Sequence, residues 1–170
     1  MRFIIFLATA MALAPLAAAA QTLTDPQIAH IAYTAGVIDI KAAQLALKTS
    51  KSKAVRGFAS EMVRDHEAVN KQALTLVKKL NVTPEDNPTS QALTSQADAK
   101  RKELTALKGK AFDKAYAQNE VAYHQLVNSS LEKTLIPGSS NADLKALLST
   151  GLKIFQGHEQ HAEQLASELQ

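Results

Sequence analysis

The segment that decides the fold is Asn81-Val82-Thr83-Pro84-Glu85-Asp86-Asn87-Pro88, which runs into the Ala-, Gln- and Lys-rich stretch Ser90–Leu107 and is closed by Gly109. Two prolines among Asn, Asp and Thr make the first part a loop. In the second part Leu93, Ala97, Leu104 and Leu107 recur at helical spacing but form only a thin apolar stripe. A helix of that kind belongs on the outside of something larger. Its length of about 17 residues spans ~26 Å, enough to run back along a bundle of long helices.

Those long helices lie on either side. Thr24-Asp25-Pro26-Gln27 offers a Thr cap, a Pro in the first turn and a Gln three residues after the cap, the pattern of a capping box. Ile28, Ile31, Ala35, Ile38, Ala42 and Leu45 carry that helix to about Lys48. After a polar turn with Ser52 as cap, the stripe Val55, Phe58, Met62, His66, Val69, Ala73, Leu76 and Leu80 makes a second helix ending at Asn81. A third is expected from about Lys110 to Leu135, cut by Pro137-Gly138. Ser140-Asn141-Ala142-Asp143 starts a fourth, with the stripe Leu144, Leu148, Gly151, Phe155, His158, Ala162, Leu165 and Leu169. No stretch alternates with period two, so no strand is predicted. Short links make the first and second helices antiparallel neighbours, and likewise the third and fourth. Two such pairs joined by a long connection give an all-α, ferritin-like four-helix bundle with an additional short crossover helix.

Residues 1–20 read as an export signal. Met1-Arg2 gives a positive start, Phe3 to Leu13 is an almost unbroken apolar run, and Ala18-x-Ala20 before Gln21 fits the small-residue cleavage rule. The run is shorter than the ~20 apolar residues of a spanning helix. A lipobox Cys is also missing, so no stable membrane anchor is expected. The expectation is a cleaved signal over 1–20 and a single helical domain over 21–170, periplasmic or secreted.

Composition removes several function classes. The 170-residue chain has no Cys, which excludes thiolate catalysis, Cys-type zinc sites and iron–sulfur clusters. Of its 19 Lys and Arg, loss of Arg2 with the signal would leave 18 against 16 Asp and Glu, too even a balance to draw a polyanion. The aromatic residues are not interleaved with the basic runs at 48–53, 78–79 and 100–102, so nucleic-acid binding is not expected. There is no Gly-rich phosphate loop, no G-x-S-x-G elbow and no H-E-x-x-H. An enzymatic activity is therefore not favoured, and nothing in the pattern singles out a protein partner.

The histidines carry what chemistry is left. Asp39, His66 and His124 fall near the midpoints of the first three long helices and His158 about three residues past the midpoint of the fourth. Strand direction then does not matter, and all four should share one level of the bundle within ~5 Å. His66 and His158 sit on the apolar stripes of their helices, Glu120 lies one turn before His124, and Asp39 shares a face with Ala35, Ala42 and Ala46. The expected site is His66, His124 and His158, with Asp39 or Glu120 as a fourth ligand, around one divalent ion: zinc, copper or iron. Imidazole binds metal as the neutral ring, so affinity should weaken through the histidine range, near ~6.5 before any shift. His161 reads equally as a second ligand and as a solvent-edge residue, and Asp65 as outward-pointing or the partner of a neighbour. Gly157 in a helix interior points to close packing beside His158. The alternative for the whole set is a metal-free network of buried histidines and acids inside a non-catalytic binding or interaction module.

Ala35-Gly36 followed by Asp39, then Val55-Arg56-Gly57-Phe58-Ala59-Ser60-Glu61-Met62-Val63-Arg64-Asp65-His66, resembles the exported bacterial proteins of the domain-of-unknown-function 4142 family. Phe112-Asp113-x-x-Tyr116 leading to His124, and the closing helix with His158, fit the same pattern. The resemblance covers nearly the whole chain beyond the signal and implies a ferritin-like, exported protein. It implies no established activity. Di-iron ferritins carry Glu-x-x-His on two bundle helices. Here Val63, Val121 and Phe155 precede the histidines by three, and Asp39 stands where a first-helix Glu would be. Iron storage and ferroxidase activity are not expected, and a mononuclear His-rich site, or no metal, suits the residues better.

Overall fold

The computed structural model describes residues 23–170; the expected signal over 1–20 lies outside the described residues. Helix α1 spans Asp25–Thr49, α2 Lys53–Lys79, α3 Pro88–Thr105, α4 Gly109–Ser130 and α5 Ala142–Glu168. No strand occurs among the described residues, and no helix there is long and apolar enough to cross a membrane.

The starts of α1, α2 and α5 fall where the sequence predicts them, whereas α3 begins at Pro88, capped by Asn87, two residues before the expected Ser90. Thr24 and Gln27 close the capping box of α1, the Ser52 side chain accepts from the N–H of Val55, and the Asn141 side chain accepts from that of Leu144. Each satisfies a backbone donor that the first turn leaves without a partner. The end of α4 differs from expectation. Regular helix stops at Ser130, and the chain continues through a π-helical turn, Leu131–Leu135, into a last short turn, Ile136–Gly138. The wider turn is closed by the N–H of Ile136 on the carbonyl of Leu131, and Pro137, having no N–H to place, is tolerated just beyond it.

The connectivity follows from which residues share a core. Ala43 and Ala46, late in α1, pack with Val55, Phe58 and Met62, early in α2, and with Phe112 and Tyr116, early in α4. Ile28 and Ile31, early in α1, pack instead with Leu131, Leu135, Leu144, Leu148 and Phe155. So α1 and α5 run one way while α2 and α4 run the other. Helix α3 lies along the outside of α1 and parallel to it. Asn87, its cap, donates to the carbonyl of Gln27 at one end, and Leu104 joins the core of Ala43 and Phe112 at the other. Only Ser90 and Leu104 of α3 are buried, as its thin stripe requires. At the same end of the bundle as Gln27, Asp25 accepts from the Ser139 hydroxyl at 2.8 Å and from the N–H groups of Ser140 and Asn141 at 3.0 and 2.9 Å, which pins the start of α5 to the start of α1.

Candidate metal centre

Between the two apolar clusters lies a layer of buried ionisable side chains. Asp39 of α1, His66 of α2, His124 and Glu120 of α4 and His158 of α5 are all 3% exposed or less. Each sits on the inward stripe of its helix, so the packing that buries Phe58 or Leu148 carries these polar groups inside as well. The three imidazoles meet: ring centres of His66 and His124 are 5.8 Å apart, His66 and His158 5.3 Å, His124 and His158 5.5 Å. Each of the three offers a ring nitrogen within 4.8 Å of those of the other two, and a second set of that kind joins Asp39, Glu120 and His124. His66 is held flat against Phe155, with ring centres 4.5 Å apart and planes within 7°.

The hydrogen bonds leave a consistent set of lone pairs. Nδ1 of His124 lies 2.9 Å from the Glu120 carbonyl, and a carbonyl can only accept, so Nδ1 carries the proton. Nε2 is then the lone-pair nitrogen, and it is buried with no hydrogen-bond partner. His158 is the mirror case. Its Nε2 donates to Asp65 Oδ2 at 3.1 Å, which leaves Nδ1 with the lone pair, again buried without a partner. Both nitrogens of His66 and both oxygens of Asp39 lack hydrogen bonds. Oδ2 of Asp39 stands 3.4 Å from Nε2 of His66 and 3.4 Å from Nε2 of His124, and Oε2 of Glu120 is likewise unpartnered. Buried donors and acceptors left open cost free energy, so a core with this many calls for something to fill it. The donor set fits a borderline divalent cation, and the Asp65–His158 bond is the usual second link that fixes a ligating imidazole in one tautomer.

The electrostatics agree. Burial pushes the Asp39 carboxyl up to about 7. Burial, with the nearby Asp39 charge, pushes Glu120 well above its ordinary range. Burial pulls His124 down to about 4, against the opposing bond to the Glu120 carbonyl. His66 is pulled well below its ordinary value by burial and then by His124 and His158; His158 is lowered by burial against the pull of Asp65. The imidazoles are therefore neutral at physiological pH, the form that binds metal.

The structure brings together all five residues expected at mid-bundle. Asp65 is the partner of its neighbour His158, and Arg64 donates to it through Nε at 2.7 Å. His161 stays at the solvent edge, its Nδ1 2.8 Å from Glu61 Oε2. Gly157 corrects an expectation: nothing lies within 4 Å of where its Cβ would be, so no close packing explains it. The tight glycine is Gly36, whose Cβ would fall 2.4 Å from the Asn70 side-chain oxygen. The Tyr123 hydroxyl donates to the Ala35 carbonyl at 2.8 Å, whereas that of Tyr116 is buried without a partner. The Glu61–His161 pair escapes sequence reading, although its signal is there: carboxylates at 61 and 65 and imidazoles at 158 and 161 each share a helix face.

Among solved structures the chain is similar to CopM in the Cu(II)-bound form, with a TM-score of 0.65 and 14% identity over 88% of this chain and 100% of that one. At that identity the likeness speaks to the helical fold. No curated protein matches the sequence. A family model described as a domain of unknown function (DUF4142) matches residues 10–165, nearly the whole chain, and the protein belongs to that family.

Proposed function

We propose that the protein is an exported, single-domain metal-holding bundle that keeps one divalent ion at mid-height through His66, His124 and His158, with Asp39 or Glu120 completing the set. The observation that carries this reading is the convergence of three neutral imidazoles from three helices onto nitrogens that nothing else engages. Bound metal would supply the charge that Asp39 and Glu120 lack a partner for. The residues described provide binding and shielding from water, and the reading is of a holder of metal, not a catalyst. Copper is the first ion to try, because the similar fold of CopM holds Cu(II).

Calorimetric titration with copper or zinc should give saturable binding near 1:1. An ion that binds only the folded state at about 100 times its dissociation constant adds about 2.7 kcal/mol of stability, read as a rise in Tm. His66→Ala should remove most of that rise and His30→Ala, near the start of α1, should leave it. A carboxylate ligand must give up the proton that burial holds on Asp39 up to about 7, so binding should weaken as pH falls through that value, and protonation of the imidazoles, held down to about 4 at His124, should end it at lower pH. Equal behaviour of the two variants refutes the site.

A second reading rests on the 3.4 Å approaches of Asp39 Oδ2 to two imidazoles. A protonated Asp39 could share its proton with a metal-free histidine network of structural purpose. Absence of any saturable metal binding would favour it.

A further inference from the structure

The core imidazoles are at most 3% exposed, so an ion needs a way in. On one side of the site Asp39 and Glu120 line a small cavity beneath α3, of about 30 Å³, whose other charged lining residues are Lys100 and Arg101. Charged ammonium and guanidinium groups have no lone pair to offer a cation. On another side His158 stands at the seam between α2 and α5, and there the chemistry is different.

Glu61 and Asp65 stand one turn apart on α2, facing His158 and His161, three apart on α5. Glu61, Asp65 and His158 each present a donor atom within 4.8 Å of the other two, and His161 Nδ1 is 2.8 Å from Glu61 Oε2. The side chains of His161, Glu61 and Asp65 are 44%, 31% and 25% exposed, open enough for a hydrated ion. His158 itself is 97% buried and belongs to both clusters: Nε2 reaches Asp65, while Nδ1 is buried with no hydrogen-bond partner.

We propose that Glu61, Asp65, His161 and the Nε2 of His158 form a second, solvent-facing divalent-cation site on the α2–α5 seam, the port through which the core is loaded. His158 serves one cluster at a time. With the ion at the port, Nε2 binds it and Nδ1 carries the ring proton; with the ion in the core, Nδ1 binds it and Nε2–H donates to Asp65. The ring keeps one proton in both states, and the oxidation state of the metal does not change. Arg64 guards the port. Its guanidinium donates to both oxygens of Asp65, at 2.7 and 3.0 Å, and must swing into solvent before Asp65 can turn to a cation.

The loading role rests on the core site proposed above, whereas the port's own affinity does not, and Cu(II) titration with stopped-flow uptake on the full chain separates them. His66→Ala should retain one weaker Cu(II) site, and adding Glu61→Gln with His161→Gln should remove it. In an otherwise unchanged chain, Glu61→Gln with His161→Gln should still take up one Cu(II) at equilibrium but load it about tenfold more slowly, having lost the attraction and capture of the port. Arg64→Ala should load faster than the parent. Loading at the parent rate by the double variant, or no remaining site in His66→Ala, overturns the port. A parent chain whose only Cu(II) site disappears with Glu61→Gln and His161→Gln, yet ignores His66→Ala, upholds the port site and refutes the core one.

Discussion

The bundle end around Phe58 and the waist around His66 lie two turns apart on the same face of α2 and are built under opposite rules. At the end, Phe58 meets Tyr116 edge to face at 6.1 Å, Tyr116 stacks on Phe112 at 6.0 Å, and Val55, Met62 and Leu165 close the gaps. Removal of such side chains from water stabilises by about 1.5–3 kcal/mol each. At the waist the burial is as deep, but it falls on Asp39, Glu120 and three imidazoles, each with at least one polar atom left without a hydrogen-bond partner. Burial there costs free energy. The lesson is that one geometric device, the inward stripe of a helix, serves stability at one level and concentrates unsatisfied ligand atoms at the next.

The comparison breaks most visibly under substitution at the end. Phe58→Ala should cost about 3–5 kcal/mol in urea unfolding, by loss of transfer free energy and by the cavity left behind. A loss below 1 kcal/mol would mean that this end is not the stabilising layer it looks to be.

The waist should respond in the other direction. Asp39 has its folded value raised to about 7 from an ordinary 3.8. The folded metal-free state therefore holds a proton that the unfolded chain releases, and stability falls as pH rises between those values. Asp39→Asn removes that cost. Measured by denaturation without metal, the variant should be more stable than the parent at pH 8 by about 1–4 kcal/mol. The gain should vanish towards pH 4, and the same variant should bind copper more weakly. A loss of metal-free stability at pH 8 would show that the Asp39 charge is paired after all.

The smallest effect concerns His124. With its folded value lowered to about 4 from 6.5, the unfolded chain binds the proton first, so its contribution to stability is present above 6.5 and drains away as pH falls towards 4. His124→Gln should flatten that part of the metal-free acid-denaturation profile. An unchanged profile would place the acid sensitivity elsewhere.

Much of this architecture is legible in the residues. The stripes from Val55 to Leu76 and from Leu144 to Leu165, the caps at Thr24, Ser52 and Asn141, and the thin stripe of α3 each carry their own structural instruction, because periodicity and capping are local. The end of α4 is not legible in that way. Pro137 marks a break, but the π turn at Leu131–Leu135 answers to packing against Ile28 and Leu144 on other helices.

The site divides along the same line. Sequence alone places Asp39, His66, His124 and His158 at one height and on inward faces, with Glu120 one turn before His124, because rise per residue and stripe position are properties of a single helix. Which nitrogen of each ring is left free, that Asp65 holds His158, and that Glu61 pairs with His161 across the α2–α5 seam were decided only by the tertiary structure. Those are matters of ångströms between side chains on different helices. They are set by how the helices rotate and settle against one another, and no spacing within one helix encodes that.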